Sequence, residues 1–483
     1  MGGSSLAPEV FRKTFGVRDG YLDLAVLDST DPGAIAEKAN KLDLEKTIFI
    51  VATKSGGTVE TLSFFKYFYN QVVDALGVPE AGQHFIAITD ANSRLDEIAS
   101  RCNFRATFRN DVNIGGRYSA LSYFGLVPAA LVGLEMGVLL DRAQEMAKNN
   151  GLGNSSGTTI GSAARLGAIL GELPKAGRDK LTLISSPPIA SFGDWVEQLI
   201  AESTGKDGKG ILPVVGEPLG AVENYGGDRL FVSLTTDDDP TIEMKIAALE
   251  KAGHPVVRIR INDLYDLGGQ FFLWELATAI AGYRLGINPF DQPNVESAKV
   301  LAREMVNEYQ ETGTFPEQEP TLKTNGISVF ADAQLSSATF KSPLEALQAF
   351  LAEAQSGAYI AIQAYVQPTT ETNRALQEFQ TRLRDTTRLA TTVGYGPRFL
   401  HSTGQLHKGD AGKGYSIQLT SDSPQDISIP DEPGDKSSSI SFGVLKGAQA
   451  MGDRQALLHA DRRVLRFHLG TDVVAGISKL SSV

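Results

Sequence analysis

Cysteine is nearly absent from this chain of 483 residues, which contains only Cys102. One cysteine excludes a disulfide within the chain and any zinc site built from several thiolates, and it fits a reducing compartment. Basic residues are also in the minority, with 45 Lys and Arg against 57 Asp and Glu, for a formal net charge of −12. Such an acidic chain lacks the basic surface that nucleic acid or an anionic membrane requires, although a local cluster could bind a small anion.

Long apolar runs are scarce as well. The run from Ala120 to Leu140 is long enough to cross a bilayer, but Pro128 and Glu135 interrupt it. We therefore expect a buried helix of a large α/β domain there and no membrane contact. The amino terminus shows no cationic start followed by an apolar segment, so the sequence predicts no signal peptide and a cytoplasmic protein.

Short β-branched runs alternate with helical segments over most of the chain, which predicts parallel sheets covered by helices on both faces. Two such series occur in tandem, separated by a Gly-, Asn- and Ser-rich segment at 149–157. The sequence thus predicts an α/β protein with two doubly wound, three-layer domains at 1–150 and 155–310. A smaller α/β unit is predicted at 311–483, and its Ser-, Asp- and Pro-rich stretch at 421–439 is expected to be an exposed loop.

Two glycine-containing turns have the composition of phosphate-binding loops. The first opens the chain as Gly-Gly-Ser-Ser at 2–5, directly before a predicted helix. The second, at 53–58, lies between a predicted strand and a predicted helix, at the sheet edge where ligands bind. Hydroxyls, a lysine and free N–H groups at a helix start can hold a phosphate monoester, although a Gly-rich turn with a Thr cap would have the same sequence. The candidate side chains and backbone positions are Gly3, Ser4, Thr53, Lys54, Ser55 and Thr58.

Three further segments contain charged residues in unusual places. Arg117 lies between a glycine pair and the apolar run, and Glu202 lies at the end of a predicted helix, where a carboxylate opposes the helix dipole. Lys299 falls on the second turn of a predicted helix that follows the turn at 288–294. Taken singly, Glu202 and Lys299 would be ordinary surface residues.

Together, these segments resemble phosphoglucose isomerases. The resemblance rests on Asn-Ile-Gly-Gly-Arg-Tyr-Ser at 113–119, Glu-Ser-Thr-Gly-Lys at 202–206 and Asn-Pro-Phe-Asp-Gln-Pro-Asn-Val-Glu-Ser-Ala-Lys at 288–299. The turns at 2–4 and 53–58 match the two phosphate-contacting turns of that family. The run Gly-Pro-Arg-Phe-Leu-His-Ser-Thr-Gly-Gln-Leu-His-Lys-Gly at 396–409 is similar to the isomerase half of bacterial transaldolase–phosphoglucose isomerase fusions, without a transaldolase half.

The resemblance implies two sugar-isomerase (SIS) domains and an aldose–ketose isomerase that interconverts glucose 6-phosphate and fructose 6-phosphate through a cis-enediol. It implies a small-molecule sugar phosphate as the substrate, a homodimer, and no metal or organic cofactor. The implied site residues are Glu202 as the proton shuttle, Arg117 as the cation beside the enediolate, Lys299 near the ring oxygen, and Gly116 and Gln198 at the sugar.

This chain departs from the family pattern at the histidine that opens the sugar ring. No histidine is present at 219–225, where the family places it. We expect His401 or His407 to replace it, because the unperturbed pKa of histidine suits proton transfer near neutral pH. The alternatives are that Glu223 acts instead, or that both histidines only order the carboxyl-terminal unit.

A second departure concerns the start of the chain. In the family the Gly-Gly-Ser turn follows a buried parallel strand, whereas this sequence begins on the turn, so we expect that the natural protein is longer. Two alternative functions remain open at this point. One is a non-catalytic SIS-type sugar-phosphate sensor, which would not need the proton shuttle, and the other is dual glucose and mannose 6-phosphate isomerisation.

Overall fold

The computed structural model describes residues 2–151, 161–236, 239–316, 318–324 and 326–483. Most of the segment at 149–157 that we expect to separate two domains lies outside the described residues. The chain divides into two compact units, and each is considered by itself. The first contains the residues up to Met136 together with Glu304–Phe315 and Ser423–Ala448; the second contains Gly137–Arg303, Pro316–Asp422 and Gln449–Val483. The predicted boundaries of the three domains stay predictions.

Helices and strands alternate along the chain, as its hydrophobic pattern predicts. The first elements are α1 (Gly3–Phe15), α2 (Pro32–Ala39), β1 (Phe49–Ala52), α3 (Val59–Leu76), α4 (Val78–Ala81), β2 (Phe85–Asp90), α5 (Arg94–Arg101), β3 (Ala106–Asn110) and α6 (Tyr123–Leu131). Next come α7 (Met136–Asn149), α8 (Ser162–Glu172), β4 (Lys180–Ser185), α9 (Phe192–Thr204), β5 (Leu212–Val214), β6 (Arg229–Thr235), α10 (Pro240–Lys251), β7 (Val256–Arg260), α11 (Leu267–Leu285) and α12 (Val295–Thr312).

The carboxyl-terminal part adds five helices and eight strands within the described residues. They are β8 (Leu322–Thr324), β9 (Ile327–Phe330), α13 (Pro343–Ala352), β10 (Tyr359–Tyr365), α14 (Thr370–Thr387), β11 (Ala390–Tyr395), α15 (Gly404–Gly409), β12 (Gly414–Thr420), β13 (Ser428–Ile429), β14 (Ile440–Ser441), α16 (Phe442–His459), β15 (Arg463–His468) and α17 (Val473–Leu480).

Helix starts are encoded locally. Asp31 accepts hydrogen bonds from Gly33 N at 2.9 Å and Ala34 N at 3.3 Å, and a proline follows it as the first residue of α2. Asp239 caps α10 in the same way, again with proline next along the chain. An oxygen acceptor satisfies N–H groups that have no partner inside the helix, and proline needs none, so these short sequences fix where each helix begins.

The first unit is built on a parallel sheet in the order β1–β2–β3. Aromatic side chains from α3 and the strands form much of its core, and Phe65 contacts the ring of Phe85 edge-on at 5.5 Å. Parallel strands joined by helices place the ends of β1 and β2 at one edge of this sheet. The turn at 53–58 follows β1 at that edge.

The second unit contains two sheets. One is fully parallel, in the order β5–β4–β6–β7. The other has the order β11–β10–β12–β15–β9–β8, in which β9 runs antiparallel to β15 and β8 antiparallel to β9. A buried apolar cluster includes residues of both sheets, with Leu212 and Val214 from β5 and Tyr359 and Ala361 from β10, so the two sheets share a core inside this unit. This confirms the predicted α/β class with parallel sheets.

The expectation of one continuous buried helix over 120–140 is wrong. The run forms α6 and α7, and Gly133 between them has a φ of 90°, a conformation that a helix cannot contain. Tyr123 in α6 and Val138 in α7 are exposed. In the part of the chain that the structure describes, no helix has the length and apolarity needed to cross a membrane.

The stretch at 421–439 is only partly an exposed loop. Most of its residues are at least partly exposed, but Ile429 is buried in the core of the first unit and pairs with Ile440 in the β13–β14 ladder. Lys66 of α3 donates a hydrogen bond to the carbonyl of Asp431 at 2.6 Å. The polar composition correctly predicts that most residues of this stretch are exposed, but it does not predict that Ile429 is buried in the core.

A buried ion pair connects the segment 423–448, which comes late in the chain but belongs to the first unit, to the amino-terminal part of that unit. Lys446 Nζ lies 2.8 Å from Asp31 Oδ2, and both side chains are 6% exposed. Since Asp31 also caps α2, its carboxylate stays in place whether or not the lysine is present.

Replacing this lysine should destabilise the protein. We expect Lys446→Met to lower the free energy of unfolding by about 3 kcal/mol, because a buried carboxylate loses its cation. Urea denaturation measures the change, and limited proteolysis should show faster cleavage within 423–448. The exposed Lys436→Met in the same segment is the control, and equal stability of both variants would contradict the role of the pair.

Candidate active site

In the first unit, the turn that opens the chain lies against the turn that carries Arg117. A Cβ on Gly3 would come within 1.9 Å of the carbonyl oxygen of Gly116, far inside van der Waals contact. Gly2, which precedes α1, has a φ of 63°. The glycines at 2 and 3 are therefore required by local geometry, and they bring Ser4 and the Gly116–Tyr118 turn into one region of this unit.

The predicted phosphate turn at 53–58 joins β1 to α3. Thr53 Oγ1 and Thr58 Oγ1 lie 2.8 Å apart, and Gly57 N donates to Ser55 Oγ at 3.3 Å. Gly56 has a φ of 71°, and a Cβ there would lie 2.5 Å from the backbone nitrogen of Leu95. The side chain of Thr58 makes no capping bond to α3. This is a compact turn with exposed Ser55 and half-exposed Thr58 at a helix start.

Lys54 is engaged within the protein. Its Nζ donates to Asp90 Oδ2 at 2.6 Å and to the carbonyl of Val112 at 2.7 Å, while the side chain stays 33% exposed. Asp90 is the last residue of β2, so the lysine ties neighbouring strand ends together. The structure thus gives Lys54 an organising role that its place in a Gly-rich turn does not reveal, and its predicted phosphate contact stays a prediction.

Arg117 is a buried cation of the first unit. Its side chain is 2% exposed, in a short 3₁₀ turn over Gly116–Tyr118, and its guanidinium lies 5.4 Å from the centre of the Tyr118 ring. Ser119 Oγ donates to the carbonyl of Gly116 at 2.6 Å, which closes the turn. A guanidinium keeps its charge even when buried, so this turn holds a permanent positive charge inside the unit.

In the second unit, Gln198 connects Glu202 to the segment that contains His401. Gln198 and Glu202 are one turn apart on α9, and Gln198 Nε2 donates to Glu202 Oε2 at 3.0 Å. The same nitrogen donates to the carbonyl of His401 at 2.8 Å. Gln198 is 3% exposed, whereas Glu202 and His401 are partly accessible. The buried amide of Gln198 therefore orients the carboxylate of Glu202 next to the turn that contains His401.

A second glutamine, Gln405, links three motif segments, and the sequence argument does not single it out. Its fully buried side chain donates from Nε2 to the carbonyl of Gly205 and to Asn294 Oδ1, both at 2.8 Å. Its Oε1 accepts from Asn294 N, also at 2.8 Å. The end of α9, the start of α12 and helix α15 are therefore held together by one amide group.

Lys206 makes a similar connection. Its buried Nζ donates to the carbonyl of Asn288 at 2.8 Å and to Asp291 Oδ1 at 2.7 Å, and also to the carbonyl of Asp291. The motif at 202–206 is thereby attached to the turn at 288–294. The long motif Asn-Pro-Phe-Asp-Gln-Pro signals this junction, since its polar residues supply the acceptors.

Lys299 and His407 differ in accessibility. Lys299 is 45% exposed on α12, with its Nζ 3.6 Å from Glu296 Oε2. His407 is 4% exposed in α15, where its Nδ1 lies 3.2 Å from Gln363 Nε2. Burial, with a contribution from Lys408, lowers the pKa of His407 to about 3, so its imidazole is neutral near pH 7. The segment at 396–409 forms a 3₁₀ turn at Arg398–His401 and the helix α15.

Two further carboxyl groups have different surroundings. Glu223 is exposed in a 3₁₀ turn at Val222–Asn224, and Asn224 of this turn donates to Asp385 Oδ1 of α14 at 2.6 Å. Glu197 lies next to Gln198 on α9, and burial, together with the charge of Asp194, raises the pKa of Glu197 to about 8. In the described ranges, no group of three or more His, Cys, Asp or Glu side chains is arranged to hold a metal ion.

The junction around Gln405 provides a stability test. We expect Gln405→Leu to lower the free energy of unfolding by about 2 kcal/mol, because the buried Gly205 carbonyl and two polar groups of the partly buried Asn294 lose their partner. Thermal or urea denaturation measures this change. Gln377→Leu, at an exposed glutamine with one 3.4 Å hydrogen bond, is the matched control and should be close to neutral. A neutral Gln405→Leu would show that the amide does not hold the junction.

Comparisons with known proteins agree with the motifs. The family model for phosphoglucose isomerase matches residues 1–156. A probable glucose-6-phosphate isomerase of Methanococcus maripaludis is 28% identical over 316 residues, which are 58% of this chain and 70% of that protein. The glucose-6-phosphate isomerase of Parabacteroides distasonis is 30% identical over 288 residues, which are 51% of this chain and 64% of that protein. The chain therefore spans about two thirds of the length of these relatives.

Solved structures give the same picture of the fold. A hypothetical protein from Thermus thermophilus superposes with a TM-score of 0.53 at 26% identity, over 63% of this chain and 81% of that one. A glucose-6-phosphate isomerase from Chlamydia trachomatis superposes with a TM-score of 0.53 at 21% identity, over 64% of this chain and 69% of that one. The resemblance of 396–409 to transaldolase fusions stays a prediction, whereas the resemblance to phosphoglucose isomerases is confirmed: the chain is a relative of that family.

Proposed function

We propose that the protein is a glucose-6-phosphate isomerase, which interconverts glucose 6-phosphate and fructose 6-phosphate. The observation that carries the proposal is the accessible carboxylate of Glu202, which is oriented by the buried amide of Gln198. A regulatory sugar-phosphate sensor would need the phosphate turns but no positioned base. The names of the relatives, all glucose-6-phosphate isomerases, support the same substrate pair.

The reaction transfers a proton between adjacent carbons. Glu202 takes the proton from C2 of the open-chain aldose, which leaves an enediolate, and returns a proton to C1 to give the ketose. The proton on the oxygens moves from O2 to O1, so the atoms balance without any other reactant. A positioned general base contributes about 10²–10⁴-fold to such a step.

The enediolate also requires a fixed positive charge nearby, and we assign this role to Arg117. Negative charge develops on the enediolate oxygens, and a fixed positive charge stabilises it by several kcal/mol where water is excluded. Arg117 is 2% exposed and permanently charged, which suits this role. We assign the substrate phosphate to the turns at 2–5 and 53–58, with backbone N–H groups and hydroxyls as donors and Lys54 held in place by Asp90.

The sugar ring must open before the proton transfer. We assign this step to His401, because the carbonyl of His401 and the carboxylate of Glu202 bond to the same amide nitrogen of Gln198. His407 is buried and has a lowered pKa, so it is the weaker candidate. Glu223 is exposed in the 3₁₀ turn whose Asn224 bonds to α14. Lys299, exposed on α12, remains the candidate near the ring oxygen.

The family resemblance also supports a cytoplasmic homodimer with a sugar phosphate as its small-molecule partner. Whether mannose 6-phosphate is a second substrate depends on contacts around C2. The direct test is to supply purified protein with fructose 6-phosphate, and then with mannose 6-phosphate, and to measure glucose 6-phosphate and fructose 6-phosphate, respectively. No conversion of fructose 6-phosphate would refute the proposed activity.

Glu202→Gln tests the proton shuttle. We expect kcat to fall by about 10³-fold, while the Kd for fructose 6-phosphate changes little, because the base is lost and the phosphate turns are intact. Steady-state kinetics and isothermal titration calorimetry measure the two quantities. Glu197→Gln, at a neighbouring carboxyl on the same helix, is the matched control and should keep its kcat. A Glu202→Gln variant within about tenfold of wild type would remove Glu202 from this role.

His401→Ala tests the assignment of ring opening. We expect this variant to convert cyclic fructose 6-phosphate about 100-fold more slowly, yet to act on an open-chain sugar phosphate at nearly the wild-type rate. His407→Ala is the control, since loss of a buried ring should affect both substrates equally. If His401→Ala slows both substrates to the same extent, ring opening depends on another group.

A further inference from the structure

A cavity of about 380 Å³ lies in the second unit, at the edge where β4, β5 and β10 begin. It is lined by Lys180, Leu212 and Tyr359, the first residues of these three strands, and by Leu406 of α15. Glu202, Gln198 and His401 are not among its lining residues. The lining of the cavity is therefore distinct from the groups assigned to isomerisation.

The lining of this cavity is basic although the chain as a whole is acidic. Four lysines contribute to it, against two carboxylates. The lysines are Lys175, Lys180, Lys209 and Lys413, and the carboxylates are Asp179 and Asp410. Counted as full charges, four positive and two negative groups leave a surplus of two positive charges around the cavity.

Ion pairs offset part of this surplus. Outside the lining, Glu172 lies 3.0 Å from Lys175 and Asp228 lies 3.9 Å from Lys180. Within the lining, Asp179 serves two lysines, with Oδ1 at 2.5 Å from Lys180 Nζ and Oδ2 at 3.4 Å from Lys413 Nζ, and Asp410 lies 3.5 Å from Arg462. Lys209 Nζ donates to the carbonyl of Leu285 at 2.8 Å, and its charge has no carboxylate partner among the described residues.

One of the two lining carboxyl groups is buried. Asp410 is 8% exposed, and burial raises the pKa of its carboxyl group. Lys180 is 2% exposed and remains next to Asp179, with its Nζ 5.8 Å from the centre of the Tyr359 ring. Lys180 is thus a paired lysine beside an aromatic ring. The more accessible cations are Lys413, which is half-exposed and shares Asp179 with Lys180, and the exposed Lys209, which has no carboxylate partner among the described residues.

The cation type and the volume together define the class of ligand. Lysine acts as a compact point charge and is a common phosphate binder, whereas the planar guanidinium of arginine suits planar carboxylates. No arginine is present in the described lining. Ligand cavities are about 300–1,000 Å³, so this one is at the small end. We propose that the cavity is a second anion site, which binds a small phosphate monoester between Lys209 and Lys413.

Calorimetric titration of the full chain with glycerol 3-phosphate tests the site. Because the phosphate turns of the first unit also suit this probe, the site is identified as the part of the isotherm that depends on Lys209 and Lys413. We expect wild type to bind the probe and not glycerol, because the phosphate is what the lysines recognise. In the double variant Lys209→Gln/Lys413→Gln the affinity should fall at least tenfold, whereas Lys251→Gln, an exposed lysine outside the lining, should bind like wild type.

The outcomes separate this proposal from the proposed isomerase activity. If wild type does not bind the probe, or if the double variant binds it as wild type does, the anion site is wrong whatever the isomerase assay shows. Conversely, if the chain does not bind fructose 6-phosphate, a probe isotherm that depends on Lys209 and Lys413 still supports the site. A melting curve of the double variant equal to that of wild type shows that its loss of binding is not a loss of folding.

Discussion

The buried amide of Gln405 is the constraint on which the geometry of the second unit's candidate residues depends. It bonds the end of the helix that carries Glu202 and the start of the helix that carries Lys299, and it belongs to the helix that follows His401. A side chain with two donors and one acceptor, all satisfied, specifies a single arrangement far better than apolar packing does. The motifs at 202–206, 288–299 and 396–409 are thus parts of one junction as well as sources of reactive groups.

In the first unit the corresponding constraint is steric. Gly3 lets the backbone of the opening turn approach the Gly116 carbonyl to a distance at which no side chain fits. This close approach sets the position of the α1 start relative to the buried Arg117. The two units therefore use different physical means, hydrogen bonding in one and absence of a Cβ in the other, to fix their functional segments.

Much of this fold is predictable from the sequence, because β-branched runs and helix caps are local signals. The strands at 85–90 and 229–235 are such apolar runs, Phe-Ile-Ala-Ile-Thr-Asp and Arg-Leu-Phe-Val-Ser-Leu-Thr. The errors occur where non-local contacts decide. Gly133 divides the apolar run into two helices, and the buried Ile429 fastens a stretch whose composition is that of a loop.

The candidate site shows the same division. Arg117 and Glu202 can be singled out by their positions beside a glycine pair and at a helix end. The bond of Lys54 to Asp90 joins residues 36 positions apart, and that of Gln405 to Gly205 joins residues 200 apart. Composition and spacing do not encode such long-range pairings. The sequence therefore identifies the candidate reactive residues better than it identifies the residues that position them.

The return of residues 423–448 to the first unit has a consequence for biosynthesis. Phe442 and Leu445 complete the same apolar core as Phe65 and Phe85, although more than 300 residues of chain separate them. A ribosome that has made the first sheet must still translate almost the whole of the second unit before that core can close. Long-range closure of this kind slows folding and leaves apolar surface open meanwhile. We therefore expect chaperones to protect the first unit during the stage of synthesis in which its sheet has formed but residues 423–448 have not yet been made.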